Sequence, residues 1–185
     1  MTLNKSTFRK KCLEKLKNRA LVNNIYKSAL VNKKLLKLLK SKKRKKILFY
    51  YPLNMEVNIV KVLYFLRKKH DIYIPFMVKQ SFKMVPFRLP LHKKRFGVYE
   101  AGNTLRNIKK IDIAIVPVVG IDGNLQRVGF GKGVYDRFFG ELETKPYIIF
   151  TQQELCYTKD TICDDYDVRG DILITPIKDI RKNRC

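Results

Sequence analysis

Apolar residues recur every three or four positions within the first 40 residues of the chain, a spacing typical of amphipathic helices. The apolar members of these stripes are Phe8, Cys12, Leu16, Leu35, Leu36 and Leu39. The pattern predicts two helices within residues 4–40, separated by a turn near residues 22–24. Both helices need an apolar surface to cover, so we expect them to pack on the rest of the protein.

Beyond residue 46, short apolar runs alternate with amphipathic segments. The runs that favour strands are residues 47–53, 71–78, 84–89, 112–119, 147–150 and 172–175. Two segments, 57–68 and 134–142, have helical spacing, and Pro86 assigns its strand to a sheet edge. Strands that alternate with helices predict a single three-layer α/β/α domain over residues 1–185, with a mostly parallel central sheet. The basic helical segment 1–46 should pack on this domain.

The formal net charge is +24, and it is concentrated at the start of the chain. Residues 1–46 contain 17 lysines and arginines against one acid, Glu14. Such a segment could attract nucleic acid, anionic lipid or a small polyanion, or its lysines could simply solvate helix faces. The sequence contains no zinc-finger, helix-turn-helix or aromatic stacking motif, which disfavours nucleic acid as a partner. No apolar run approaches the roughly 20 residues that cross a bilayer, so no membrane partner is expected.

Four cysteines occur, Cys12, Cys156, Cys163 and Cys185, and none belongs to a C-x-x-C pair. The two histidines lie far from them in the sequence. This spacing predicts neither a zinc site nor a disulfide framework, and free thiols fit a reducing cytoplasm.

A glycine-rich segment carries the strongest indication of chemistry. A buried strand leads to Arg127 and then to the run Gly129-Phe130-Gly131-Lys132-Gly133, which precedes a helix. Alternate glycines let the backbone approach a ligand closely, and the lysine and arginine add positive charge, so the segment suits phosphate. It matches neither G-x-x-x-x-G-K-[ST] nor G-x-G-x-x-G, so a purely structural turn is the competing interpretation. Asp136 lies in the first turn of that helix, where the helix dipole favours a carboxylate without any function, or it could hold Mg²⁺.

The segment Arg127 to Arg137, R-V-G-F-G-K-G-V-Y-D-R, resembles the R-L-G-x-G-x-G-Y-Y-D-R signature of the 5-formyltetrahydrofolate cyclo-ligase family. Shorter matches follow the family order along the chain. They are K-S-T-F-R with Lys5 and Arg9, P-L-N-M-E-V at 52–57, F-G-V-Y-E at 96–100, Gln153, and the stretch 167–175. The chain departs from the family pattern in having Val134 for a tyrosine, Tyr166 for a histidine and Asn54-Met55 for Pro-Gly.

The resemblance implies the conversion of 5-formyltetrahydrofolate to 5,10-methenyltetrahydrofolate. This reaction would require Mg²⁺, consume ATP, and release ADP and phosphate. The implied partners are a reduced folate and ATP, and we expect a cytoplasmic monomer. Two alternatives stay open: a nucleic-acid-binding protein on the same fold, and a family member that binds folate or ATP without turnover.

The resemblance also implies roles for individual residues. It assigns ATP contacts to Lys5, Arg9, Gly129, Phe130, Gly131, Lys132, Gly133, Val134, Tyr135 and Asp136. It assigns folate contacts to Met55, Glu56 and Tyr135. Lys132 and Arg127 would be catalytic by neutralising phosphate charge, and Asp136 would hold Mg²⁺. Lys5 and Arg9 lie four residues apart and therefore share one helix face, which could also be a solvated face.

Overall fold

The computed structural model describes residues 3–19, 23–94, 99–104 and 108–181. The helices are α1 (Lys5–Arg19), α2 (Asn24–Leu39), α3 (Val60–Leu66) and α4 (Val134–Gly140). The strands up to the glycine-rich segment are β1 (Lys46–Leu48), β2 (Asp71–Val78), β3 (Ser81–Pro86), β4 (His92–Lys93), β5 (Tyr99–Glu100) and β6 (Ile113–Pro117). The later strands are β7 (Gly120–Ile121), β8 (Arg127–Val128), β9 (Tyr147–Thr151), β10 (Ile172–Ile174) and β11 (Asp179–Arg181).

Seven of these strands form one sheet in the order β11-β10-β9-β6-β1-β2-β3. The five inner strands are parallel, whereas β3 and β11 pair antiparallel with their neighbours at the two edges. The prediction of a mostly parallel sheet is confirmed, and so is the edge position of the strand that contains Pro86. Two small hairpins, β4–β5 and β7–β8, stand outside this sheet.

Helices cover both faces of the sheet, which confirms the three-layer architecture. On one face, Leu35 of α2 and Leu63 of α3 are fully buried with alternate strand residues such as Ile115. On the other face, Phe138 of α4 packs in a second cluster with strand residues of the opposite phase, such as Val116. Successive side chains along a strand therefore point alternately into the two cores, as expected for strands that are buried on both sides.

Helix α1 packs at the carboxyl end of the sheet. Its stripe of Phe8, Cys12 and Leu16 is buried against Val119, which precedes β7, and Val128 of β8. This contact is close, because a Cβ added at Gly120 would lie 2.7 Å from the Phe8 ring. The polar face of α1, with its cations, is thereby held over the glycine-rich segment.

Three predicted elements differ by three or more residues from the bounds expected, and one of them is β3, which spans Ser81–Pro86 instead of 84–89. Strand β1 ends at Leu48, and α3 begins at Val60 because the intervening residues form a hydrogen-bonded turn. In this turn the Glu56 carboxylate accepts the Leu53 N–H (2.8 Å), and the Asn58 side chain accepts the Val60 N–H (3.2 Å). Strand β11 was not predicted, because it is a short edge strand with exposed Asp179 and Arg181 and lacks an apolar run.

The expectation of no disulfide is wrong. Cys12 of α1 and Cys156, which follows β9, form a disulfide across 144 residues of sequence. Spacing could not reveal this pair, because only the packing of α1 against the segment after β9 brings the two residues together. The thiol of Cys163 is reduced, and its burial raises its pKa.

We expect reduction of the disulfide to lower the free energy of unfolding by about 2–5 kcal/mol, because a bridge that closes a long loop restricts the unfolded chain. Urea denaturation with and without dithiothreitol measures the difference. Cys163→Ser should retain the full sensitivity to dithiothreitol, whereas Cys12→Ser should abolish it. Equal stability of the oxidised and reduced wild-type protein would contradict the expectation.

Candidate functional site

A cleft of about 460 Å³ lies at the carboxyl edge of the sheet. The residues that line it are Lys5, Arg9, Arg127, Gly129, Gly131, Gly133, Asp136, Arg137, Tyr166 and Asp167. The β7–β8 hairpin is tied to this edge because Arg127 donates its Nε–H to the carbonyl oxygen of Pro117, the last residue of β6 (3.1 Å). The carboxyl edge is where open parallel α/β sheets bind ligands.

The glycines shape the floor of the cleft. Gly131 and Gly133 adopt φ values of 98° and 60°, a region that residues with a side chain disfavour. Gly129 packs on Arg127 so closely that a Cβ there would lie 2.2 Å from Nη1. Helix α4 begins after Gly133 and has seven residues, so the positive potential of the cleft comes mainly from side chains.

Helix α1 contributes two of these side chains. Arg9 donates its Nε–H to the carbonyl oxygen of Gly129 (2.9 Å), which fixes the guanidinium beside the glycine loop. Lys5 forms ion pairs with Asp167 and with Asp164 (3.1 Å to the latter), and its Nζ lies 5.4 Å from the Tyr166 ring centroid. Burial lowers the pKa of Lys5, but the hydrogen bonds to the two carboxylates outweigh this and raise it overall. Both predicted cations of α1 therefore face the cleft rather than bulk solvent.

Arg127 is the central cation of the site. It is only 5% exposed, and its Nη1 lies 3.9 Å from the carboxylate of Asp136. Its guanidinium carbon also lies 4.8 Å from the centroid of the Tyr135 ring, a cation–π arrangement. Hydrogen bond, ion pair and ring together hold this side chain in one orientation, as a preorganised site requires.

Glu56 is close enough to Arg127 to interact with its charge. Burial raises the pKa of its carboxyl group to about 7, while the hydrogen bond from Leu53 and the charge of Arg127 oppose this rise. Burial, together with the charge of Glu56, raises the pKa of Tyr135, which stays neutral. Glu56, Arg127 and Tyr135 are therefore electrostatic neighbours, although Glu56 comes from a part of the chain distant from the segment that contains the other two. Met55, the other residue of this turn for which the sequence predicted a folate contact, is partly buried beside Glu56.

The aspartates divide into structural and cleft-lining groups. Asp122 is fully buried and accepts N–H groups of the surrounding turns, and Asp171 accepts the Ile148 N–H at the opposite edge of the sheet. Asp136 and Asp167 both line the cleft and adjoin each other, because Asp136 accepts the Val168 N–H (3.3 Å). Within the described ranges, no cluster of three or more histidine, cysteine, aspartate or glutamate residues could enclose a metal ion.

Four of the remaining predicted residues flank the cleft instead of lining it. Phe130 and Lys132 are exposed at the rim, and Val134 and Tyr135, in the first turn of α4, are half-buried against the core. The carbonyl oxygen of Lys132 accepts a hydrogen bond from Arg137, which closes the loop. Sequence reasoning did not assign Arg137, Tyr166 or Asp167 to the site, although Arg137 ends the matched glycine signature and Asp167 begins another matched stretch. Residues 96–98 of another matched motif lie outside the described residues.

Fold and cleft define an α/β domain whose cationic, glycine-lined cleft sits at the usual ligand-binding edge of a parallel sheet. The model of the 5-formyltetrahydrofolate cyclo-ligase family matches residues 1–176. The chain belongs to this family, and the prediction of a ligase of this class is confirmed.

Named relatives agree with this assignment. A 5-formyltetrahydrofolate cyclo-ligase of Mycoplasma pneumoniae is 28% identical over 179 residues, which cover 93% of this chain and 98% of the relative. One of Haemophilus influenzae is 24% identical over 122 residues, 61% of this chain and 65% of the relative.

Solved structures show the same fold. The solution structure of 5,10-methenyltetrahydrofolate synthetase from Aquifex aeolicus matches with a TM-score of 0.82 and 25% identity, over 98% of this chain and 94% of that one. A 5,10-methenyltetrahydrofolate synthetase from Mycoplasma pneumoniae matches with a TM-score of 0.71 and 24% identity, over 94% and 99%. Within the described part of this chain, no helix combines the length and apolar character that crossing a bilayer requires.

Proposed function

We propose that the chain converts 5-formyltetrahydrofolate to 5,10-methenyltetrahydrofolate in a reaction that requires ATP and Mg²⁺ and releases ADP and phosphate. The observation that carries the proposal is the position of Arg127, which lines the glycine-lined cationic cleft beside Asp136 and also interacts electrostatically with the half-buried carboxyl group of Glu56. A phosphate donor and a folate could therefore meet at one guanidinium.

The proposed reaction needs charge neutralisation more than covalent help from the protein. The formyl oxygen attacks the γ-phosphorus, and the bond from this phosphorus to the bridging oxygen breaks to release ADP. Nitrogen-10 then attacks the activated formyl carbon and loses its proton to solvent, and the carbon–oxygen bond breaks to release phosphate. Positioning of the two reactants and stabilisation of the transferring phosphoryl group are the parts that a protein can supply.

The cleft residues fit the phosphate side of this reaction. Lys5 and Arg9 share one face of α1 and both line the cleft, where Arg9 already donates a hydrogen bond to the carbonyl oxygen of Gly129. The exposed Lys132 can reach the outer phosphates from the rim. Arg127, buried and oriented, would neutralise charge on the transferring group.

Glu56 fits the folate side. Its carboxylate lies in a largely desolvated turn next to Tyr135 and Arg127, where hydrogen bonds from N–H donors of a pterin are strong. Tyr135 presents a neutral ring that could pack against the bound folate. Met55, in the same turn, would add an apolar contact.

The donor set also suits Mg²⁺. This ion commonly takes one or two carboxylates and completes its shell with phosphate oxygens and water, so it needs no enclosing cluster of protein ligands. Asp136, with Asp167 beside it, offers such a limited set at the cleft. When bound, the ion would neutralise phosphate charge, which is the chemistry it supplies in phosphoryl transfer.

An absorbance assay tests the proposed function. Purified protein with 5-formyltetrahydrofolate, ATP and Mg²⁺ should produce the near-ultraviolet band of the methenyl product, and ADP should appear in equal amount. Omission of ATP, or chelation of Mg²⁺, should stop both signals. Product formation without ATP, or no product with every component present, would contradict the proposal.

Lys132→Ala should raise the KM for ATP about tenfold, the loss expected for one charge-assisted contact, and leave the fold intact. Steady-state kinetics at saturating folate measure this change. Lys145→Ala, which removes an exposed lysine far from the cleft, should leave the KM unchanged and serves as the control. Unaltered kinetics in Lys132→Ala would mean that this lysine does not contact the phosphates.

A further inference from the structure

A second cationic region lies at the amino edge of the sheet, opposite the cleft. Strands β2, β1 and β6 are adjacent and parallel, so the segments that lead into them meet at this edge. Residues 40–46, 67–69 and 109–110 form these segments and consist of lysine, arginine and one serine. We call these three segments the basic edge.

Direct contacts join the three segments into one surface. The Lys69 ammonium group donates to the carbonyl oxygen of Lys40 (3.0 Å), and the Lys46 N–H donates to Asp112, which follows the third segment (2.8 Å). The Lys45 N–H donates to Nδ1 of the buried His70 (3.2 Å), which connects the first segment to the second. The basic edge is therefore a fixed arrangement of backbone, from which charged side chains project.

Acidic residues neutralise only a small part of this charge. Asp71 pairs with Arg44 (2.6 Å), and Asp112 lies 3.7 Å from the Lys45 ammonium group. Side chains such as Lys43 and Lys110 are exposed on the same surface. Like charges gathered in this way repel one another and destabilise the folded state. A bound polyanion would reduce this repulsion and stabilise the protein.

A cavity of about 320 Å³ adjoins the basic edge. Arg44, Arg67 and Arg88 line it, and Arg67 lies over the Phe87 ring at 5.2 Å. Planar guanidinium groups bind phosphate oxygens in pairs, and lysines add point charges around them. Adjacent strands lie about 4.8 Å apart, so three basic segments span about 10 Å and can contact several phosphates of one strand.

We propose that the basic edge binds the sugar-phosphate backbone of single-stranded RNA, independently of the cleft. The three segments carry no aliphatic side chain that could insert between lipids, which favours a nucleic acid over a membrane surface. The sequence disfavoured such a partner because it has no recognition motif. Sequence-independent binding needs no such motif, and the sheet topology supports it by collecting lysines from distant positions into one surface.

Fluorescence anisotropy with the full-length protein and labelled oligouridylate of about 20 nucleotides, at about 150 mM salt, tests the proposal. The variant is the triple change Lys43→Glu, Lys69→Glu and Lys110→Glu. The control carries the same charge change at exposed lysines elsewhere, as Lys10→Glu, Lys17→Glu and Lys159→Glu. Thermal melting of all proteins checks their folding.

We expect the basic-edge variant to weaken RNA binding at least about tenfold and to reduce the slope of log K against log salt by about 2, as for three lost phosphate contacts. The control should lose less than about threefold, and the methenyl-forming activity of the basic-edge variant should be unchanged. Equal losses in variant and control would mean diffuse attraction and overturn the proposal. So would tighter binding to phosphatidylserine vesicles than to RNA at the same salt.

Discussion

Arg127→Lys is expected to lower kcat/KM for methenyl formation by about 100-fold or more, the cost of losing one preorganised donor to a developing charge. Lysine keeps the positive charge, but it cannot donate to Pro117, approach Asp136 and stack on Tyr135 at the same time, as the planar guanidinium does. Steady-state kinetics with varied ATP and varied folate measure the effect, which should appear mainly in kcat.

A second variant separates chemistry from folding in this experiment. Gly129→Ala keeps Arg127 but places a methyl group where the guanidinium now lies, 2.2 Å from Nη1, so the guanidinium must move. We expect a similar loss of activity with a near-native circular dichroism spectrum. Arg44→Lys, at the opposite edge of the sheet, should retain full activity. Wild-type kcat in both Arg127→Lys and Gly129→Ala would show that the orientation of Arg127 is irrelevant to the reaction.

Glu56→Gln is expected to raise the KM for 5-formyltetrahydrofolate about 10- to 100-fold, because hydrogen bonds to an ionised acceptor are worth about 1.5–3 kcal/mol. Glutamine has nearly the same shape and can still accept the Leu53 N–H, so the turn should persist. The KM for ATP should change little. Isothermal titration with the reduced folate measures the loss of affinity directly, and unchanged affinity would remove Glu56 from the substrate site.

The raised pKa of Glu56 gives this variant a second readout. The pKa is about 7 in the folded protein against an ordinary value of 4.5, mainly because burial disfavours the charged form. Between these two values the folded state holds more protons than the unfolded state, so stability falls as the pH rises through this window. The loss amounts to about 3 kcal/mol at most above pH 7.

Glu56→Gln should remove this pH dependence and be more stable than the wild type at pH 8, although it binds folate less well. In the wild type, kcat/KM for folate should rise with pH through about 7 as the carboxylate forms, and the profile of the variant should lack this step. Denaturation at pH 5 and pH 8 measures the stability effect. Equal pH dependence in both proteins would contradict the assignment of the raised pKa to Glu56.

The sequence predicted the long, strongly patterned elements well. The bounds of β2 agree with the predicted strand, and the predicted helix at residue 134 begins where α4 begins. Both elements have an apolar pattern that burial imposes directly. Strand β11 and the two-strand pairs escaped prediction because each strand has only two or three residues, too few to show an apolar pattern, and is defined by pairing with its neighbour along the chain.

Site residues that belong to one continuous segment could also be predicted from the sequence, whereas contacts between distant residues could not. The glycine run and Arg127 belong to one continuous segment, so their joint position in the cleft could be foreseen from the sequence. Asp167 reaches the cleft through its ion pair with Lys5, 162 residues away, and no local spacing encodes this contact. The Cys12–Cys156 disulfide was missed for the same reason, because it depends on how α1 packs.

A crystal structure with a non-hydrolysable ATP analogue and Mg²⁺ tests the central claim most directly. The account predicts the triphosphate in the cleft, held by backbone N–H groups of residues 129–133, with side-chain nitrogens of Lys5 and Arg9 within hydrogen-bond distance of its oxygens. An analogue bound elsewhere on the protein, with the glycine loop empty, would contradict it.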